Sequence, residues 1–152
     1  MMTSEPGMVD ANVLVYAVNE DASFHNKALT FVEARLNGEI PICLTPQVLS
    51  EFFATVTSSK RLEAPLPSGK ATLELEKYFL KGEANMLYFH RGTLETMLEL
   101  LKKYPVTQQD VFDLQLAATM ISNGVKRIYT YNTSDFAKYA GIEVLTPDAM
   151  LE

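Results

Sequence analysis

The sequence predicts a single α/β domain over residues 1–152, with a mainly parallel central sheet of four to five short strands flanked by helices on both faces. Short apolar runs alternate with stretches of helical periodicity along the chain, and this alternation is typical of parallel sheets joined by helical crossovers. The 152 residues, of which 47% are apolar and 21% charged, are enough to bury one core. We find no repeat or linker that divides the chain.

The composition argues against several classes of protein. The net charge of −6 disfavours a broad basic surface for nucleic acid. No apolar run approaches the roughly 20 residues that span a bilayer, and the N-terminus carries neither a basic region nor a long apolar segment. The one cysteine, Cys43, excludes an internal disulfide and fits a reducing compartment. We therefore expect a cytoplasmic protein with no membrane contact.

The first half of the chain predicts two strands, each followed by a helix. Asp10 closes an apolar run and is expected to cap the next helix, and Thr45-Pro46 supplies a capping hydroxyl and a first-turn proline. In chain order the elements are a strand ending at Asp10, a helix from Ala11, a helix over 23–36 ending at Asn37-Gly38, a strand over 41–44 and a helix from Thr45-Pro46.

The second half continues the alternation. In chain order its elements are a loop over 61–68, a helix over 68–80 ending at Lys81-Gly82, a strand over 86–89, a helix over 93–104, a helix from Asp110 ending at Asn123-Gly124, a strand over 127–131, a helical turn over 134–139 and a strand over 143–145. Helical spacing predicts that the helix over 93–104 turns four apolar residues inward, namely Leu94, Met97, Leu98 and Leu101. Around the proline-containing loop, core packing is preferred to a partner groove for Leu62, Leu66, Phe79 and Leu80.

Four acidic residues occupy the same type of position in this predicted fold. Asp10 ends the first strand, and Asp135 follows a later strand. Glu51 lies one turn into the helix after the second strand, and Asp113 lies in the first turn of another helix. Because functional groups gather at the carboxyl ends of parallel strands, we expect the four carboxylates to share one rim of the sheet.

A divalent cation is the chemistry that such a cluster favours. Carboxylates brought together repel one another, and Mg²⁺ or Mn²⁺ prefers oxygen ligands. A cation held in this way activates water for attack on a phosphodiester. Neutral polar residues at the same rim could orient a carboxylate, a water or a phosphate oxygen; they are Asn12, Thr130, Asn132 and Ser134.

Each acid also has a structural alternative. Asp10 and Asp113 suit helix starts, where carboxylates are favoured. Asp110 and Asp113 resemble a capping pair, and we interpret Asp110 as the capping member. Asp135 is an ordinary turn residue, and Glu51 fits a solvated helix flank. The common location of all four favours a shared site over four separate structural roles.

The segments VDANVLVYA, SEFF, DLQLAA and TYNTSDF, in this order and spacing, resemble the motifs of PIN-domain ribonucleases, and especially the small VapC-type toxins of toxin–antitoxin pairs. The resemblance covers nearly the whole chain. It implies that Asp10, Glu51, Asp113 and Asp135 are the catalytic, metal-binding acids, and that Asn12, Thr130 and Asn132 are their supporting polar residues. It also implies RNA cleavage that depends on Mg²⁺ or Mn²⁺, a homodimer, and an antitoxin partner that occupies the site.

Two other functions remain open from the sequence. A receiver or aspartate-nucleophile phosphatase would also place aspartates at strand ends, although VDAN lacks the second aspartate of the phosphatase motif. A catalytically silent module with this fold would bind RNA or protein without turnover. The histidines, His25 and His90, predict local hydrogen bonding rather than catalysis, and Lys60-Arg61 predicts solvated surface or contact with an RNA backbone.

Overall fold

The computed structural model describes residues 5–36, 41–80 and 84–150. In these ranges five short strands form one sheet in which every neighbouring pair is parallel, in the order β3-β2-β1-β4-β5. The strands are β1 (Gly7–Val9), β2 (Ile42–Leu44), β3 (Ala84–Met86), β4 (Arg127–Tyr129) and β5 (Glu143–Leu145). The predicted parallel α/β fold is confirmed.

Helices cover this sheet in two groups. They are α1 (Ala11–Val18), α2 (His25–Leu36), α3 (Pro46–Val56), α4 (Ser68–Phe79), α5 (Arg91–Lys103) and α6 (Asp110–Ser122), with 3₁₀ turns at Thr133–Asp135 and Pro147–Met150. Helix α1 packs on α2 and α3, and α3 packs on α4, whereas α5 and α6 pack on each other. Right-handed crossovers that run in opposite directions along a sheet place their helices on opposite faces, so the two groups cover the two faces.

The strand order reverses direction at the centre of the sheet. From β1 the chain moves to β2 and β3 on one side, and then returns to β4 and β5 on the other. Such a reversal leaves an open crevice above the carboxyl ends of the two strands that flank it, here β1 and β4. Asp10 directly follows β1, and Thr130 directly follows β4.

Local capping signals explain where several elements begin and end. Thr45 accepts a hydrogen bond from the Val48 amide at 3.0 Å, with Pro46 in the first turn, as predicted. His90 caps α5 by accepting from the Gly92 amide at 3.0 Å, and His25 Nδ1 lies 2.9 Å from a backbone carbonyl, so local roles for both histidines are confirmed. Helix α6 ends at Ser122 with Asn123 as its C-cap, and the φ of 75° at the next residue, Gly124, suits glycine.

The core corrects two predictions. On α5, Leu94 and Leu98 are 51% and 53% exposed rather than inward. The inward face of α5 instead carries Thr93, whose hydroxyl lies 2.7 Å from Ser122 Oγ on α6, together with Met97 and Leu101, which were predicted to face inward. Near the proline-containing loop, Leu62 is buried and Leu66 packs on the core, whereas Phe79 and Leu80 are exposed. Core packing was therefore wrong for Phe79 and Leu80.

The remaining differences are small. The third strand covers 84–86 rather than 86–89, because a short apolar run does not fix its own register. The predicted helix stops at Asn37-Gly38 and Lys81-Gly82 lie outside the described residues. No helix in the described ranges is long and apolar enough to cross a bilayer.

Candidate active site

A polar cavity of about 590 Å³ opens above the carboxyl ends of β1 and β4. All four of the singled-out carboxylates line it, although they come from four separate segments of the chain: Asp10, Glu51, Asp113 and Asp135. Its other polar lining residues include Asn12, Asn19, Arg61, Gln109 and Asn132. The crevice at the reversal point of the sheet is thus an acidic pocket.

Asp10 is the deepest of the four acids, with 8% of its surface exposed. Its Oδ1 accepts from the Ala11 amide at 2.8 Å, and its Oδ2 accepts from the Thr130 hydroxyl at 2.8 Å and from Asn12 Nδ2 at 3.2 Å. Burial raises the pKa of this carboxyl, and the hydrogen bonds from Thr130, Ala11 and Asn12 oppose that rise. Three donors therefore fix the carboxylate in one orientation.

The same contacts tie the ends of β1 and β4 together. The Thr130 hydroxyl also accepts from Asn12 Nδ2 and from the Asn132 amide, each at 3.0 Å, which fills its hydrogen-bonding capacity. Asn12 Oδ1 accepts from the Tyr131 amide at 3.0 Å. The expected supporting residues Asn12, Thr130 and Asn132 are therefore found beside Asp10, with Asn132 contributing through its backbone. Ser134, the fourth such residue, is exposed and does not line the cavity.

Glu51 reaches the cavity from the second turn of α3. Gln47, one turn earlier, donates to Glu51 Oε1 at 3.1 Å and to the Phe112 carbonyl oxygen of α6 at 2.9 Å. Gln47 Oε1 in turn accepts from Gln115 Nε2 at 2.9 Å. Partial burial and the charge of Asp10 raise the pKa of Glu51, and the hydrogen bond from Gln47 opposes this rise.

The pKa of Asp113 reflects the other carboxylates around the pocket. Desolvation, together with the charges of Asp135, Asp10, Glu51 and Asp110, raises its pKa to about 6. Three of these carboxylates come from other segments of the chain, and Asp110 lies on the same turn of α6. A group whose proton affinity is raised by several like charges is typical of a functional site.

Asp110 is not the helix cap that its spacing indicated. The N-cap of α6 is Gln109, which forms no side-chain capping bond, and Asp110 and Asp113 both lie in the first turn. The preceding Gln108 has a φ of 55°, so the chain enters α6 through a left-handed residue. Helix α6 therefore begins at Asp110 itself, whose negative charge contributes to raising the pKa of Asp113.

The donor set fits a hydrated divalent cation. Within the described residues, no three His, Cys, Asp or Glu side chains converge tightly enough to enclose an ion. Mg²⁺ is usually held by one or two carboxylates and keeps several waters, so a cage of three close ligands is not required. The acids around the pocket are hard oxygen ligands of the type that Mg²⁺ and Mn²⁺ prefer, and a cation would relieve their mutual repulsion.

The family model named PIN domain matches residues 7–142 of the chain. The chain belongs to the PIN-domain family. Among curated PIN-domain relatives, Ribonuclease VapC33 of Mycobacterium tuberculosis is 30% identical over 138 residues, which cover 91% of this chain and 95% of that protein. The resemblance that the sequence motifs indicated is thereby confirmed.

Solved structures with the same PIN fold agree with this assignment. VapC20 of Mycobacterium tuberculosis, described as a sarcin–ricin loop cleaving toxin, superposes with a TM-score of 0.63 at 15% identity, covering 90% of this chain and 98% of that one. A toxin–antitoxin complex from Klebsiella pneumoniae gives a TM-score of 0.62 at 19% identity, covering 93% and 97%. At these identities the likeness concerns the fold.

Sequence reasoning missed two glutamines behind the acidic pocket: Gln47 donates to Glu51, and Gln115 donates to Gln47. Gln47 and Gln115 lie on different helices, and nothing in the sequence brings them together. The available signal was the spacing of four residues between Gln47 and Glu51, which puts both on one helix face. Of the basic pair Lys60-Arg61, the cavity lining includes Arg61.

Proposed function

We propose that this PIN-domain protein is a metal-dependent endoribonuclease that hydrolyses RNA phosphodiester bonds, and that it is the cytoplasmic toxin of a type II toxin–antitoxin pair. The observation that carries the proposal is the gathering of Asp10, Glu51, Asp113 and Asp135 around one pocket at the reversal point of the sheet. The relatives named as VapC ribonucleases support the reaction class.

In this proposal Asp10, Glu51, Asp113 and Asp135 would together hold a hydrated Mg²⁺ or Mn²⁺ ion. When bound, such an ion supplies an activated water and neutralises charge that develops on the phosphate. Thr130 and Asn12 keep the Asp10 carboxylate oriented and prevent it from turning away. Burial and the neighbouring carboxylates raise the pKa of Asp113 to about 6, so this group would be a charged ligand at neutral pH and would lose affinity for a cation below about pH 6.

We assign to Arg61 a contact with the backbone of the RNA substrate. It lines the pocket beside the acids, yet none of the ion pairs among the described residues includes it. An arginine that served to neutralise Glu51 or Asp113 would be paired with it. An unpaired guanidinium next to a cation site instead suits a phosphate oxygen of RNA, which Arg binds through two parallel hydrogen bonds.

The proposal includes two protein partners. An antitoxin is supported by the structural likeness to a toxin–antitoxin complex, and by a cleft of about 500 Å³ between α1, α2 and α4, lined by apolar and charged side chains, that a partner segment would fill. A homodimer is supported by Leu94 and Leu98, which are exposed one turn apart on α5, since contiguous exposed apolar surface marks contacts between proteins. Light scattering of the purified protein gives the oligomeric state directly.

Cleavage of a mixed RNA pool by the antitoxin-free protein, with Mg²⁺, Mn²⁺ or EDTA, tests the function. We expect cleavage with either cation and none with EDTA. Asp10→Asn should lower the rate by about 100- to 1000-fold or more, while Asp21→Asn, which changes an exposed aspartate outside the pocket, should cleave normally. Circular dichroism of each variant checks that the fold is retained.

Equal cleavage by wild type and Asp10→Asn would assign the activity to a contaminant or to another site. A folded wild type that binds RNA in the presence of Mn²⁺ but never cuts it would instead favour the catalytically silent binding module. Failure to trap an acyl-phosphate on Asp10 removes the phosphatase alternative.

A further inference from the structure

The side-chain amide of Gln47 joins the two helices that carry Glu51 and Asp113. Its nitrogen donates to Glu51 Oε1 at 3.1 Å and to the Phe112 carbonyl oxygen at 2.9 Å, and its oxygen accepts from Gln115 Nε2 at 2.9 Å. A carboxylate and a carbonyl oxygen can only accept, so the amide nitrogen must face them. The orientation of Gln47 is therefore determined by its partners, and both of its N–H donors are used.

These contacts cross between separate packing groups. Helix α3, which carries Glu51, packs on α1 and α4, whereas α6, which carries Asp113, packs on α5. The two α6 partners of Gln47 are Phe112 and Gln115, which bracket Asp113 in the sequence. Gln47 therefore links Glu51 to the backbone of the same helical turn that presents Asp113.

A role confined to α3 does not account for this arrangement. A glutamine four residues before a glutamate stabilises a helix through their mutual hydrogen bond alone. The bonds to Phe112 and Gln115 lie outside α3 and add nothing to its helical hydrogen bonding. Their effect is to set the distance between one acidic side chain and the turn that carries another.

We propose that Gln47, oriented by Gln115, is a positioning residue that holds Glu51 at the pocket and thereby sets the affinity of the acidic site for a divalent cation. The inference rests on the proposed function only in taking the pocket to be a cation site. Without Gln47, the flexible Glu51 side chain turns away from the neighbouring carboxylates, and binding a cation must reorder it. Groups that orient metal ligands through hydrogen bonds typically contribute 10- to 100-fold to metal affinity.

Calorimetric titration of Mn²⁺ into the antitoxin-free protein tests this role. Gln47→Met keeps the length of the side chain and removes all three hydrogen bonds, and we expect Mn²⁺ to bind about 10- to 100-fold more weakly. Gln115→Met removes only the contact that orients Gln47, and should produce a smaller loss in the same direction. Melting temperatures of the metal-free variants separate loss of affinity from loss of fold.

A double-mutant cycle with Glu51→Ala distinguishes positioning from a general structural effect. If Gln47 acts through Glu51, Gln47→Met has no further effect on Mn²⁺ affinity once Glu51 is removed. Equal weakening in both backgrounds would overturn the proposal, as would wild-type affinity in Gln47→Met or the absence of Mn²⁺ binding by wild type. Cleavage assays give an independent readout, since the Mn²⁺ concentration for half-maximal cleavage should rise more than the rate at saturation falls.

The failure of this inference and the failure of the proposed function are distinguishable. A wild type that cleaves RNA while Gln47→Met binds Mn²⁺ normally leaves the ribonuclease intact and removes the role of Gln47. A wild type that binds Mn²⁺ in a Gln47-dependent way but cuts no RNA keeps the role of Gln47 and removes the ribonuclease.

Discussion

The two halves of the acidic pocket are built differently. On the strand half, Asp10 and Thr130 directly follow two paired strands, are almost fully buried, and are bonded to each other and to Asn12. On the helix half, Glu51 and Asp113 extend from α3 and α6 and are more exposed. The hydrogen-bonded ladder fixes the first half, whereas the relative placement of two helices, joined by side-chain amides, fixes the second.

The two halves of the pocket therefore differ in rigidity. Three hydrogen bonds offset part of the cost of burying the Asp10 carboxylate and hold it in one orientation. Asp113 is raised in pKa chiefly by burial and by the charges of its acidic neighbours, which a cation would neutralise. We therefore infer that the strand half is a fixed anchor and that the helix half responds to cation binding.

Among the variants that alter only one half of the pocket, Thr130→Val should lower the free energy of unfolding the most. It removes one hydroxyl that donates to Asp10 and accepts from both Asn12 and the Asn132 amide, in a fully buried place. Leaving these groups unpaired costs roughly 1–3 kcal/mol of unfolding free energy, and Mn²⁺ affinity should fall about 10- to 100-fold. Denaturant unfolding and calorimetry measure the two effects.

The matched control for Thr130→Val is Thr133→Val, the same substitution on the exposed 3₁₀ turn that follows β4. It should leave both stability and Mn²⁺ affinity within experimental error of wild type. If the two variants behave alike, the buried hydroxyl has no special role and the strand half is not the anchor that we describe.

On the helix half of the pocket, Asp113→Asn should change the free energy of unfolding by a smaller amount than Thr130→Val, and in the opposite direction. Because the folded-state pKa of Asp113 is about 6, above its ordinary value of 3.8, the folded protein binds this proton more tightly than the unfolded chain. Its contribution to stability is present at low pH and is lost as pH rises from about 4 through about 6. Asp113→Asn should therefore stabilise the metal-free protein at pH 7 by roughly 1–2 kcal/mol, allowing for solvent screening of a partly exposed group.

Melting temperatures of metal-free wild type and Asp113→Asn between pH 4 and pH 7.5 check this expectation. The two curves should meet near pH 4 and separate as pH rises. Saturating Mn²⁺ should raise the melting temperature of wild type near pH 7 and remove the advantage of the variant. A wild type that is the more stable of the two without metal at pH 7 would show that Asp113 is not destabilised by its neighbours.

Arg61→Gln should have the smallest effect on the protein itself, because Arg61 belongs to neither half and forms none of the described ion pairs. Stability and Mn²⁺ affinity should be unchanged. The KM for RNA should rise several-fold, and the salt dependence of RNA binding should weaken by about one unit in the log–log slope. A kcat defect with an unchanged KM would argue against a contact with the substrate backbone.

The strand half was the more predictable from the sequence, for a physical reason. Asp10 and Thr130 follow apolar runs, and the ends of parallel strands meet at one edge whatever the details of packing. Helix-start signals, which are also local in sequence, were enough to place Glu51 and Asp113 near the same edge. The partners of Glu51 were missed, because contacts between α3 and α6 depend on how the two helices settle on the sheet.

The wrong predictions have the same origin in tertiary structure. The inward face of α5 was misassigned at Leu94 and Leu98 because the apolar spacing of this helix admits two neighbouring faces, and the one that packs on the core carries Met97 and Leu101. The capping role of Asp110 failed because the chain enters α6 through Gln108 in a left-handed conformation. The catalytic and metal-binding roles of the four acids remain predictions that experiment must test.

The most direct test of a single site made from both halves is calorimetric titration of Mn²⁺ into wild type, Asp10→Asn and Asp113→Asn. We expect wild type to bind, and each variant to bind at least about tenfold more weakly, although the two substitutions lie on opposite halves of the pocket. Wild-type affinity in either variant would contradict the account, because the half that it alters would then take no part in holding the cation.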